Sequence, residues 1–156
     1  MVATVENIDG ELIGIHRTFL QSDGSRKVSL DPQKAMLGRA IGGAVRLAPI
    51  AEMLLISEGI ETGLATMKAT AMPAWAALST AGLAALILPS MVRRVIILAD
   101  HDVSGAGERA ARTAAQRWIA EGRRVHITLP PEPGTDFADL LLGRASPQIA
   151  EGDRAA

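Results

Sequence analysis

Apolar and polar positions change rhythm near residue 51. Beyond it, short apolar runs alternate with longer stretches of mixed polarity. The runs at 53–57, 73–78, 95–99 and 124–129 have the length and unbroken apolar character of buried strands. The intervening segments predict helices over about 61–69, from a Ser79 or Thr80 cap through Leu86, over about 104–121 and over 136–142. Pro89 ends the second of these helices and Gly122 the third. Ala110, Ala111, Ala114, Ala115, Trp118 and Ile119 fall on the expected buried side of the third. The order β-α-β-α-β-α-β-α predicts an α/β fold, a parallel four-stranded sheet flanked by helices.

The first 47 residues follow another pattern. Residues 11–20 read as a strand, and 21–25 as a turn with an Asp-Gly signal. Residues 26–30 read as a return strand. Asp31-Pro32 opens a new turn, and 36–47, with three glycines, reads as loop or irregular strand. The expected organisation is a small β-rich lobe over 1–47, an α/β domain over 48–143 and a polar tail over 144–156.

Composition narrows the chemistry. Aromatic residues are only 3% of the chain against 48% hydrophobic, so the core must be built from Ala, Leu, Ile and Val. With no cysteine, disulfides, thiol catalysis and cysteine zinc sites are excluded from this chain. The net charge of −1 does not mark a nucleic-acid binder, so any such binding needs a local basic surface. Arg17, Arg26, Lys27, Lys34, Arg39 and Arg46 in the first lobe supply candidates. The acidic start is unlike a secretory signal, and the longest apolar region is short and interrupted, so a cytoplasmic location is expected.

Three acidic strand ends stand out. Glu58 and Gly59 close the strand at 53–57, with Glu61 at the start of the next helix. Asp100 and Asp102 follow the strand at 95–99. Asp136 and Asp139 come after the fourth strand. In open parallel sheets the carboxyl ends of the strands form the ligand edge. Paired carboxylates repel, and a divalent cation such as Mg²⁺ or Mn²⁺ removes that penalty. Asp102 and Asp136 also fit helix capping, and Glu61 also fits the positive end of a helix. His101, between the two aspartates, points away from them on an extended strand. Ser104-Gly105-Ala106-Gly107 at a helix start could present amides to phosphate, with Arg109 and Arg112 nearby.

The pairing of Leu54-Leu55-Ile56-Ser57-Glu58-Gly59 with Ile96-Ile97-Leu98-Ala99-Asp100-His101-Asp102 resembles the signature of the Toprim domain. That Rossmann-like fold is shared by bacterial-type primases, topoisomerases and some nucleases. Glu58-Gly59-Ile60-Glu61-Thr62-Gly63, Leu78-Ser79-Thr80-Ala81-Gly82-Leu83 and Gly134-Thr135-Asp136-Phe137-Ala138-Asp139 are most similar to the phage- and plasmid-type primase–helicases. The resemblance implies Mg²⁺-dependent nucleotidyl transfer in DNA replication, the synthesis of RNA primers on single-stranded DNA from nucleoside triphosphates. Asp100 and Asp102 would hold Mg²⁺ or Mn²⁺, with Asp136 or Asp139 helping a second ion. Glu58 would serve as general acid/base or as a further ligand. Ser104, Gly105, Arg109, Arg17, Lys27 and Arg46 would contact phosphate or nucleic acid. A complete primase–helicase is several times longer, so the resemblance implies a fragment or stand-alone remnant that works with a helicase module. The rival readings are a metal-dependent Toprim nuclease and a non-catalytic nucleic-acid-binding Toprim module. A haloacid-dehalogenase-type phosphatase using Asp100 as nucleophile is disfavoured, because no lysine follows Lys68.

Overall fold

The computed structural model describes residues 1–29, 31–131, 134, 135 and 137–141. Its elements form two sheets. A three-stranded antiparallel sheet runs β1 (Val2–Glu6), β2 (Leu12–Thr18), β3 (Lys34–Gly38). A five-stranded sheet has the order β4 (Val45–Arg46), β6 (Ala74–Ala76), β5 (Met53–Ser57), β7 (Arg94–Leu98), β8 (Arg124–Thr128). Strands β6, β5, β7 and β8 are mutually parallel, as the alternating pattern requires, and β4 adds an antiparallel edge beside β6.

The helices are α1 (Ile60–Thr70), α2 (Thr80–Ala85), α3 (Ala106–Ala120) and α4 (Phe137–Leu141). Strand alternation divides the core between the two faces of the large sheet. Leu54, Ile56, Val95 and Ile97 pack with Leu83, Ala111, Ala114 and Trp118 of α2 and α3. Leu55 and Leu98 pack on the other face with Phe137 of α4 and Met67 of α1. The small α3 residues let that helix lie close to the sheet, and Trp118 is fully buried, its indole Nε1 donating to Leu86 O at 3.3 Å. Ile119, expected on the buried side, is 56% exposed, because it lies just past the edge of the Ala110–Ala114–Trp118 stripe.

The first lobe departs from the pattern reading in three ways. Residues 2–6, not read as a strand, form β1, with Val5 buried and Thr4 opposite Ile15. The Asp-Gly turn exists: Asp23 Oδ1 accepts the Ser25 amide at 3.0 Å, and Gln21 N donates to Arg26 O at 2.9 Å. Among the described residues, the return segment at 26–29 forms no named strand and makes an isolated bridge, Leu20 to Lys27. The partner of β2 is instead β3, with Ile15 opposite Leu37, inside the stretch read as irregular. Glycine had argued against a strand there. Gly38 ends it at φ 84, and Gly14 admits the strand closely: a Cβ on Gly14 would lie 3.0 Å from Leu37 O.

The lobe is tied to the large sheet. Glu6 N and Ala44 N each donate to the other's carbonyl, at 2.9 and 3.0 Å. Val5, Val45, Ile60 and Ala76 bury one another in a shared cluster. Arg46 clasps the same seam. Its Nε lies 3.3 Å from Glu6, its Nη2 donates to Asn7 O at 2.6 Å, and its guanidinium lies 4.5 Å above the Trp75 ring. Among the described residues, no helix is long and apolar enough to cross a membrane.

Candidate functional site

In the large sheet, β5 is flanked by β6 on one side and β7 on the other. Strand order therefore reverses between β5 and β7, and the carboxyl ends of these two strands open the crevice where such sheets bind ligands. Glu58 leaves β5 there, and Asp100 lies two residues beyond the end of β7. Both line a cavity of about 140 Å³, together with Lys27, Lys34, Glu61 and Leu78. That volume suits an ion with a phosphate group better than a whole nucleotide, since pockets for drug-sized ligands begin near ~300 Å³. A larger groove of about 600 Å³ lies between the 20–27 turn and α1, but its walls include none of Glu58, Asp100 and Asp102.

Local structure holds Glu58 firmly. Ser57 Oγ donates to Gly59 O at 2.8 Å, and Leu78 N donates to Glu58 O at 2.8 Å. Leu78 adopts φ 72, an uncommon value for a bulky residue, at the wall of the cavity. The Thr80 amide at the start of α2 reaches the Glu58 carboxylate. Burial raises the Glu58 pKa above its ordinary value, and the charges of Asp100 and Asp102 raise it further; Lys34 and the Thr80 amide partly offset this.

Asp102 is arranged in the opposite sense. Its carboxylate accepts Ser104 Oγ and the amides of Gly107 at 2.8 Å and Ala106 at 3.2 Å. The Ser104 hydroxyl first, then the Gly107 amide, holds it well below the usual carboxylate range. Asp102 thus does the work of an N-cap for α3, while the formal cap residue, Gly105, takes φ 67. The Ala106 and Gly107 amides, expected to face phosphate, are engaged by Asp102. Gly107 has no room for a side chain, since a Cβ would lie 2.6 Å from Asp100 O. Neither Asp100 nor Asp102 belongs to the strand, which ends at Leu98. His101 Nδ1 donates to Pro130 O at 2.9 Å, and Gly134 N donates to His101 O at 2.6 Å. These bonds bring the loop after β8 beside the acidic edge.

The remaining candidates are dispersed. Asp136 lies outside the described residues, as does the side chain of Asp139, whose backbone is part of α4. Lys27 is at the cavity, 2.7 Å from Glu61. Arg17 is exposed on the face of β2 opposite His16 and Thr18, and Lys34 pairs in register with Thr18, so Arg17 and Lys34 face apart. Ser104 and Arg109 are exposed, and Arg109 Nη1 donates to Ser104 O at 2.8 Å. Arg46 is engaged at the seam described above. The sequence marks Lys34 only as one of the lobe's cations, and Leu78 and Thr80 only as part of a motif and a helix cap, with none of them assigned to this edge. Lys34 reaches it from β3, 3.5 Å from Glu61 at the start of α1.

Among the described residues, no three His, Cys, Asp or Glu side chains are grouped to hold a metal ion. The donor chemistry of Glu58 and Asp100 nevertheless fits a hard divalent cation. Both are oxygen ligands in one cavity, and the repulsion from Asp100 that adds to the effect of burial on Glu58 is what such an ion relieves. Mg²⁺ keeps several waters and binds through one or two carboxylates plus phosphate oxygens, so a complete cage is not required.

Residues 53–146 match the family model of the Toprim domain. The chain belongs to the Toprim family. Residues 1–47 match a domain of unknown function, DUF7146. No curated protein sequence matches the chain. Among solved structures, the Toprim chain is similar to the DnaG catalytic core, with a TM-score of 0.59 and 20% identity over 90% of this chain and 47% of that one. It is also similar to a DNA primase domain from Pseudomonas aeruginosa, with a TM-score of 0.54 and 18% identity over 90% of this chain and 52% of that one. A third is the RNA polymerase domain of Mycobacterium tuberculosis primase DnaG in complex with double-stranded DNA, with a TM-score of 0.54 and 19% identity over 89% and 47% of the two chains. The chain spans about half the length of these structures, and the likeness is one of fold. Toprim domains generally bind divalent metals such as Mg²⁺.

Proposed function

We propose that this Toprim chain carries the catalytic edge of a primase-type nucleotidyltransferase, part of a larger phage- or plasmid-type primase–helicase. The observation that carries the reading is the convergence of Glu58, Asp100 and Lys34 in one small cavity at the β5/β7 switch point. Asp100 and Glu58 would hold Mg²⁺ or Mn²⁺, with Asp102 contributing its fixed negative charge nearby. Asp136 and Asp139 remain candidates for a second ion. A bound metal would neutralise phosphate charge while a ribose hydroxyl attacks the α-phosphate of a nucleoside triphosphate, the α–β bond breaking to release pyrophosphate.

The chain's own residues divide the remaining work. If Asp100 alone carries the ion, Glu58, its pKa raised by burial and by the two nearby aspartates, is the group placed to take a proton from an attacking hydroxyl. Asp102, kept ionised by its three donors, cannot share that task; it maintains negative potential and fixes the start of α3. Lys34 and Lys27, delivered by the β-rich lobe, face this edge and would meet the phosphates of an incoming nucleoside triphosphate. Arg17 and Arg109, exposed on other faces, are candidates for the single-stranded DNA backbone.

Incubation with single-stranded DNA, labelled ribonucleoside triphosphates and Mg²⁺ tests the reading. Incorporation into short RNA, lost with chelator and reduced ~10²–10⁴-fold by Glu58→Gln, supports it. Metal-dependent degradation of the template without incorporation would make the chain a nuclease instead. DNA binding with neither activity would leave a binding module.

A further inference from the structure

Glu61 has no place in the chemistry above, yet it holds both lysines of the lobe. Lys27 Nζ lies 2.7 Å from Glu61 Oε1, and Lys34 Nζ lies 3.5 Å from Glu61 Oε2. All three share one cavity with Glu58 and Asp100. Glu61 stands on the first turn of α1, where the helix end favours a negative charge, so it is itself anchored on a rigid element. The two lysines come from elsewhere: Lys34 from β3, and Lys27 from the turn before it, where it forms an isolated bridge with Leu20.

The geometry points to Glu61 as a positioning residue: it is the counter-ion that keeps Lys27 and Lys34 off the metal-holding carboxylates while leaving them beside the site for phosphate. Without it, the carboxylates left in the cavity with the two ammonium groups are those of Glu58 and Asp100. Long lysine stems can cross a cavity of this size. An ammonium bound to those acids would compete directly with a divalent cation. The lobe would then quench the site it serves. This inference rests on the reading of Glu58 and Asp100 as a divalent-metal site.

The test is Mn²⁺ titration, by paramagnetic resonance of the free ion, of the full chain and its Glu61→Gln, Lys34→Ala and Glu61→Gln/Lys34→Ala variants. Glu58→Gln serves as the reference for loss of the site, and thermal unfolding shows each variant folded. Glu61→Gln is expected to weaken Mn²⁺ binding about tenfold, the scale on which one partly screened charge a few ångströms away acts. The double variant is expected to regain wild-type affinity. Glu61→Asp, which keeps the charge, should retain most of it. Unchanged affinity in Glu61→Gln, or a loss that Lys34→Ala does not reverse, would overturn the proposal and leave Glu61 a structural pin between the lobes. If the unaltered chain binds Mn²⁺ no better than Glu58→Gln does, the metal-site reading falls, and this inference with it.

Discussion

Glu58 and Asp102 belong to one acidic edge, yet they hold protons in opposite ways. Burial beside two like charges raises one, and three hydrogen-bond donors lower the other. For Glu58, the folded chain binds a proton more readily than the unfolded one. Its ionisation therefore costs stability in full above the raised folded pKa, and the cost vanishes as pH falls below the ordinary value of 4.5. Glu58→Gln should raise Tm by a few degrees at neutral pH in chelator, with the gain shrinking towards pH 4, as followed by circular dichroism. His16 behaves in the reverse sense. It is buried, its Nδ1 has no hydrogen-bond partner among the described residues, and burial, Lys34 and Lys27 lower its pKa against the opposing pull of Glu61. The neutral ring suits the fold fully above the ordinary value of 6.5, and stability declines as pH falls from there through the lowered folded pKa. In that window the loss runs at up to about 1.4 kcal/mol per pH unit. Urea denaturation should show stability falling as pH is lowered below 6.5, and His16→Gln should flatten that dependence.

At the scale of elements, the large sheet was legible because its signals are local. Buried apolar runs of strand length, Ser79 as a cap whose Oγ accepts Gly82 N at 2.9 Å, and Gly122 closing α3 each announce themselves in sequence. Of the small sheet, β2 was legible within the 11–20 run, but its partners were not. The pairing of β2 with β3 skips the turn that sequence favoured, and Val2–Glu6 is too short and mixed to announce a strand. Asp102 shows how a residue can satisfy two readings at once. As cap of α3 its role is visible in hydrogen bonds, and its charge still reaches Glu58. Gly107 connects these facts. A methyl group there would press on Asp100 O at 2.6 Å and Asp102 Oδ2 at 3.2 Å. Gly107→Ala should lower stability by ~1–3 kcal/mol in urea denaturation and weaken divalent-cation binding, because both acids must shift.

At the scale of the molecule, residues from both sheets' lobes meet at one cavity. The carboxylates of Glu58 and Asp100 lie just beyond β5 and β7, Lys34 comes from β3 and Lys27 from the turn before it, and all line one cavity. Sequence showed the acidic half, since Glu58-Gly59 follows β5 directly and Asp100-His101-Asp102 comes just after β7. The basic half comes from the docking of the lobe, which no local pattern encodes. Arg46 illustrates the same limit. As an isolated cation it suggested a nucleic-acid contact; in the fold it closes the seam through Glu6, Asn7 O, Ile8 O and the Trp75 ring. Arg46→Ala should cost about 2 kcal/mol, the scale of lost charged hydrogen bonds, and should speed hydrogen exchange at the Glu6 and Ala44 amides. DNA affinity per folded molecule should change little if the seam is its whole task.

If the ends of β5 and β7 form one divalent-cation site, calorimetric titration should show saturable Mn²⁺ binding to the unaltered chain. Removing the Asp100 charge in Asp100→Asn should weaken that binding about tenfold or more. Binding that is absent from the unaltered chain, or equally tight in Asp100→Asn, would rule the site out.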